Sequence, residues 1–118
     1  MRDNVLRDKS YAFAIAVVQV VEKLMQNRRE YVLSKQLLRS GTAIGALIRE
    51  AEFAQSRADF AHKLSIALKE ANETQYWISL LKDTNYLAVE DFTILDNECS
   101  QLIALLVSSI KTVKQSLS

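Results

Sequence analysis

Apolar residues recur along this chain at the three- and four-residue steps of a helical face, and they do so in four separate stretches. In the first, Leu6, Phe13, Val17, Val20 and Leu24 predict a helix over about 4–27, with Asp3 or Asn4 as its cap. Ile15, Val18 and Met25 widen that apolar surface to a second flank, which predicts contact with more than one neighbour, either two helices of a bundle or another subunit. The β-branched run Val17, Val18, Val20, Val21 favours a strand locally, but helical spacing sustained over twenty residues outweighs it.

The second stretch places Leu37, Gly41, Ile44, Ile48 and Ala51 on one face and predicts a helix over about 33–54, capped by Ser34. A third follows over about 57–83, where Ser56 and Asp59 have the spacing of a capping box and Phe60, Leu64, Ala67, Ala71, Ile78 and Leu81 define the face. Asn85 suits a left-handed terminator after it, and Glu90 and Asp91 suit the start of the next helix. The fourth, over about 90–116, carries a heptad seam of Phe92, Leu95, Cys99, Leu102 and Leu106 that continues through Ile110, Val113 and Leu117.

The composition supports long helices with short connections. Pro is absent and the only glycines are Gly41 and Gly45, so the residues that build hairpins and phosphate-cradling loops are missing. The predicted architecture is all-α, an antiparallel up-down-up-down four-helix bundle forming one domain over residues 1–118. Inside a helix each glycine costs up to ~1 kcal/mol relative to Ala, so Gly41 and Gly45, one turn apart, predict close helix packing. The same spacing serves membrane helix pairs, but Arg39, Arg49 and Glu50 exclude that setting.

The formal charge of +1 conceals a gradient: residues 1–39 are basic, 40–110 acidic, and Lys111 and Lys114 restore positive charge at the end. A strongly basic chain would point to nucleic acid, whereas here any such contact needs a local patch. The candidates are Arg28, Arg29, Lys35 and Arg39, which otherwise read as a solvated loop and helix end. Subunits in a ring would repeat such a patch and make it multivalent. With Cys99 as the one cysteine and no apolar run long enough for a signal or a span, the expectations are a cytoplasmic location and no membrane contact.

Candidate chemistry is thin. A bundle di-iron site needs two histidines, and His62, three residues after Asp59, is the only one; Glu50, Glu70 and Glu73 do not replace the second imidazole. No serine sits in a nucleophile elbow, no phosphate loop occurs, and Cys99 falls on a core position. The expectations are no enzymatic activity, no cofactor, no metal and no small-molecule substrate. Arg39, Arg49, Glu50, Lys63, Lys69, Glu70, Glu73 and Trp77 form a polar set with two readings. They either cross-pair between the second and third helices or line a subunit interface, and a tryptophan among charges fits an association surface as well as a bundle end.

The segment from Arg39 to Leu81 resembles a known family. Arg39 with Ser40, the stretch Ile44, Gly45, Ala46, then Arg49, Glu50, Ala51, Ser56, Asp59, Phe60, Lys63 and the run ALKEANETQYW from Ala67 to Trp77 are similar to the bacterial four-helix-bundle proteins of 23S rRNA intervening sequences. The resemblance implies a homopentamer of four-helix bundles with no established catalytic activity. A related branch, the accessory variability proteins of diversity-generating retroelements, is a basic pentamer that binds RNA and reverse transcriptase. The near-neutral charge and acidic middle of this chain depart from that branch. Two functional expectations result: a ring-forming interaction or assembly module with a protein partner, or an RNA-binding protein that repeats a basic patch around the oligomer.

Overall fold

The computed structural model describes residues 2–117, with side chains from Val5 onward, so the cap expected at Asp3 or Asn4 lies outside the described side chains. Four helices follow one another: α1 (Arg2–Asn27), α2 (Val32–Ala51), α3 (Arg57–Asp83) and α4 (Val89–Leu117). No strand occurs among the described residues. Each helix packs on two neighbours in the cyclic order α1, α2, α3, α4, with the α1–α4 seam the least extensive. The result is an all-α, up-down-up-down bundle of 49 × 21 × 20 Å.

The core is built from the four apolar faces. Phe13, Val17, Leu37, Ile44, Leu64, Ile78, Leu81, Leu95, Leu102 and Leu106 are essentially sealed from solvent. The valine run of α1 stays helical because Val17, Val20 and Val21 are buried by the other helices, which outweighs local propensity.

The helix ends show where local rules act. The Ser56 hydroxyl accepts the Asp59 N–H at 3.0 Å, and the Asp59 carboxylate accepts the Gln55 N–H at 3.2 Å, which starts α3. Asn85, at φ 67°, closes α3: the Tyr86 N–H reaches the Leu81 carbonyl at 2.9 Å and the Asn85 N–H reaches the Lys82 carbonyl at 3.0 Å. The start of α2 differs from the sequence expectation. Ser34 is not its cap but lies buried in the first turn, and the Glu30 carboxylate does the capping, accepting the N–H groups of Leu33 at 3.2 Å and Ser34 at 2.7 Å. A carboxylate one residue further out than a usual cap can reach both because its stem is longer.

One boundary also moves, and one seam is buried over a shorter length than its pattern suggests. α2 stops at Ala51 rather than 54, since the N–H groups of Glu52, Phe53 and Ala54 turn back three residues and leave Phe53 84% exposed. The α4 seam is buried only to Ile110; Val113 is half-buried and Leu117 is 49% exposed. The cause is the start of α3 at Arg57, whose guanidinium already reaches the Ser116 hydroxyl, so the last turn of α4 runs level with the end of its neighbour.

The two glycines are not equivalent. A Cβ on Gly41 would sit 2.9 and 3.0 Å from the two methyls of Val17, whereas one on Gly45 would meet Ser10 no closer than 3.4 Å. Val17 is fully buried and β-branched, so it has no free rotamer to retreat into. Overpacking there costs roughly 1–3 kcal/mol against a helix-propensity gain of up to ~1 kcal/mol. Gly41→Ala is therefore expected to lower unfolding free energy by about 1–2 kcal/mol in urea titration, while Gly45→Ala stays within about 0.5 kcal/mol of the parent. Equal effects at the two positions would contradict this.

Candidate functional site

The polar set of α2 and α3 meets along one seam. Leu37, Ile44 and Ile48 turn one side of α2 into the core, and this leaves Arg39 and Glu50 on the side toward α3. On α3 the same logic carries Lys63, Glu70, Glu73 and Trp77 to the α2 side. Arg39 donates one amino group to Glu70 at 3.1 Å and the other to Glu73, and the Trp77 indole N–H donates to that Glu73 oxygen at 3.0 Å. Lys63 donates to Glu50 at 3.0 Å. The seam thus ties α2 to α3 at two places a few turns apart.

The proton affinities follow the contacts. The Trp77 N–H, and after it Arg39, hold the Glu73 carboxyl below its ordinary 4.5. Glu73 in turn raises the Arg39 guanidinium further, and Glu50 raises Lys63. Lys69 adds to the positive field at Glu73. Half of Arg39 remains in water, so the pairs contribute about 0.2–1 kcal/mol each. Trp77 is half-buried, with Tyr76 edge-on at 5.0 Å.

Arg49 does not join this seam. It faces α1, where its guanidinium lies 5.6 Å from the Tyr11 ring. Beneath the seam is a pair that the sequence reading passed over: the hydroxyls of Ser40 and Thr74, both buried, share a 2.9 Å hydrogen bond. Thr74 sits at a core step between Ala71 and Ile78, so a polar residue inside the apolar stripe was the available signal.

The four basic candidates do not form one patch. Arg28 lies at the surface across the α3–α4 connection, donating to the carbonyls of Asn85 at 2.8 Å and Tyr86 at 3.2 Å and covering the Tyr86 ring, so it fastens that connection. Arg39 is held by two glutamates. Arg29, at φ 52°, follows the end of α1, and Lys35 is exposed on α2; neither side chain has an internal partner among the described residues. The local charge is consequently small.

The outer face of α1 is different. Tyr11, Ile15 and Val18 are 59, 45 and 40% exposed and point away from the core stripe. Met25, expected on the same flank, is half-buried. The stripe borders a groove of about 270 Å³ floored by Ala14, Thr42, Gly45 and Ala46.

No group of three or more His, Cys, Asp or Glu side chains placed to hold a metal ion occurs among the described residues. Cys99 donates its thiol to the Ala71 carbonyl at 3.3 Å, and burial, with the Asp96 charge, pushes its pKa up to about 12. A thiol so protonated is a poor nucleophile. No helix is long and apolar enough to cross a membrane among the described residues.

These features define a class: an all-α four-helix bundle with ion pairs between α2 and α3 and an apolar stripe on the outer face of α1. The chain belongs to the 23S rRNA-intervening sequence protein family, whose model matches residues 2–108. It is also similar to a crystal structure, at 1.70 Å resolution, of a protein with unknown function from the S23 ribosomal protein family of Bacteroides thetaiotaomicron. Identity is 54%, the match covers 94% of this chain and 99% of that one, and the TM-score is 0.92. No curated protein matches the chain. Neither description assigns a catalytic activity.

Two outcomes test the seam. Thr74→Val leaves the Ser40 hydroxyl buried without its partner and is expected to cost about 1–3 kcal/mol, whereas Ser40→Ala with Thr74→Val recovers much of that loss in the same melts. Glu73 and Glu30 are both held below 4.5. At Glu30 burial acts upward, and the hydrogen bonds from Ser34, Leu33 and Val32 outweigh it. A lowered folded-state pKa gives stability that is complete above the unfolded value and is lost as pH falls through the folded one. Melting temperature should therefore drop below about pH 4.5, and Glu30→Gln with Glu73→Gln should flatten that drop. An unchanged acid limb in the double variant would contradict the assignment.

Proposed function

We propose that this protein is a non-enzymatic assembly module of the cytoplasm that associates with copies of itself into a closed ring. The observation that carries the reading is the uncovered stripe of Tyr11, Ile15 and Val18. Three large apolar side chains on consecutive turns of one helix form a continuous surface, and such surfaces on soluble proteins mark association sites. A buried aliphatic or aromatic side chain gains about 1.5–3 kcal/mol over an exposed one, so covering the three favours contact. Family resemblance supports five copies. The module has no metal, cofactor or small-molecule substrate, and its role is to present repeated surfaces to a further partner.

RNA binding through Arg28, Arg29, Lys35 and Arg39 is the weaker reading. Two of the four already have partners inside the bundle, and a phosphate contact would have to displace them.

Light scattering after size exclusion at micromolar concentration should give a multiple of 13.4 kDa, five-fold for a pentamer. Ile15→Glu with Val18→Glu should bring the mass to that of one chain while far-ultraviolet dichroism stays helical. A wild-type protein running as one chain at these concentrations would end the proposal.

A further inference from the structure

We infer that the contact between copies is heterologous, the Asp8–Tyr11–Ile15 strip of α1 on one copy entering the α3–α4 groove of the next, where Lys111 and Lys114 receive Asp8. The inference rests on the self-assembly reading and names the second half of the interface, which that reading leaves open.

The donor surface continues beyond its apolar middle. Asp8, Tyr11, Ile15, Val18 and Glu22 follow at steps of three, four, three and four, so one outward stripe is apolar in its centre and acidic at both ends. Asp8 is exposed, and its partner among the described residues is Arg7 of its own helix, at 3.8 Å. Arg7 and Arg49 lie on the α2 side of the stripe, where they are engaged with Glu52 at 3.5 Å and with the Tyr11 ring.

The acceptor lies on α3 and α4. Between α3 and α4, Leu68, Val107 and Ile110 floor an open groove of about 430 Å³ whose rim carries Lys111 and Lys114. Val107 is 48% exposed although its floor position is apolar, and neither lysine has a partner among the described residues of its own chain. The volume lies within the ~300–1,000 Å³ of pockets that take bulky apolar groups. An apolar floor with a cationic rim complements an apolar strip with an acidic end.

The two surfaces also stand at matching heights. Leu6 of α1 lines a small gap with Phe60 and Leu64 of α3, and Arg57 at the start of α3 reaches Ser116 of α4 at 2.6 Å. Antiparallel helices advance equally, so Asp8 stands within about one turn of Lys111, and Tyr11 within about one turn of Leu68 and Val107. Rotation about an axis parallel to the bundle preserves height. A ring built that way brings Asp8 to the lysines and Tyr11 to the apolar floor without tilting either copy. The donor and acceptor faces are made of different residues on different helices, the requirement for a head-to-tail contact rather than an isologous dimer.

Charge reversal and rescue test the pairing in the full-length chain. Asp8→Lys places a third cation against the two lysines, and Lys111→Glu with Lys114→Glu places two carboxylates against Asp8. Each variant should weaken assembly about tenfold or more by sedimentation velocity. The triple variant, Asp8→Lys with Lys111→Glu and Lys114→Glu, restores opposite signs and should regain the wild-type mass. Dichroism melts confirm that each variant folds, and the rescue cannot be explained by misfolding. An assembled wild type whose mass ignores both reversals, or a folded triple variant that stays dissociated, overturns this pairing and leaves self-assembly standing. A monomeric wild type overturns both.

Discussion

The close approach of α1 to α2 at Val17 and Gly41 governs the arrangement of the other elements. Any side chain at position 41 would meet the Val17 methyls at about 3 Å, so the two helices lie together only because that residue has none. With α1 seated so deeply, its core stripe from Leu6 to Leu24 fills the bundle, and the stripe two residues out of phase with it faces away from the core. The outward placement of Tyr11, Ile15 and Val18 is thus a geometric consequence of how the inner face packs. The contact also fixes the rotation of α2, which turns Ser40 toward Thr74 and Arg39 toward Glu70 and Glu73.

Charge distribution completes the division of labour. Arg39 from the basic first third meets Glu70 and Glu73 from the acidic middle, and Lys63 meets Glu50, so α2 and α3 are joined by opposite charges. Lys23 reaches Asp91 at 2.9 Å and Arg7 reaches Glu52 at 3.5 Å, extending the same pattern to the other seams. Such exposed pairs add little stability singly. Their larger effect is to orient neighbouring helices and to engage Arg39 within the bundle. The apolar stripe of α1 and the lysine rim of α4 are surfaces on which apolar and charged groups occur together, and the functional reading rests on them.

The helices were legible in the sequence because core burial imposes a 3.6-residue period that local propensity cannot mask, as the valine run of α1 shows. Ser56 and Asn85 were legible as helix punctuation because each acts through nearby backbone. Glu30 was not, since a cap placed outside the usual position has no fixed spacing to recognise. The end of α4 was legible to within a residue, but the exposure of Leu117 was not, because the apolar seam continues past the point where neighbouring helices cover it. Among the site residues, Arg39, Glu50, Lys63, Glu70 and Glu73 were recognisable as a set, but whether they pair depends on helix rotation, which no single helix encodes. Arg28 was misplaced for the same reason: its partners are carbonyls 57 and 58 residues away.

Small-angle scattering tests most directly whether the bundle associates with copies of itself in solution. The single bundle has a radius of gyration of 14.8 Å. Self-assembly gives a value well above this that holds on dilution through the micromolar range, and a value near 14.8 Å at every concentration would rule it out.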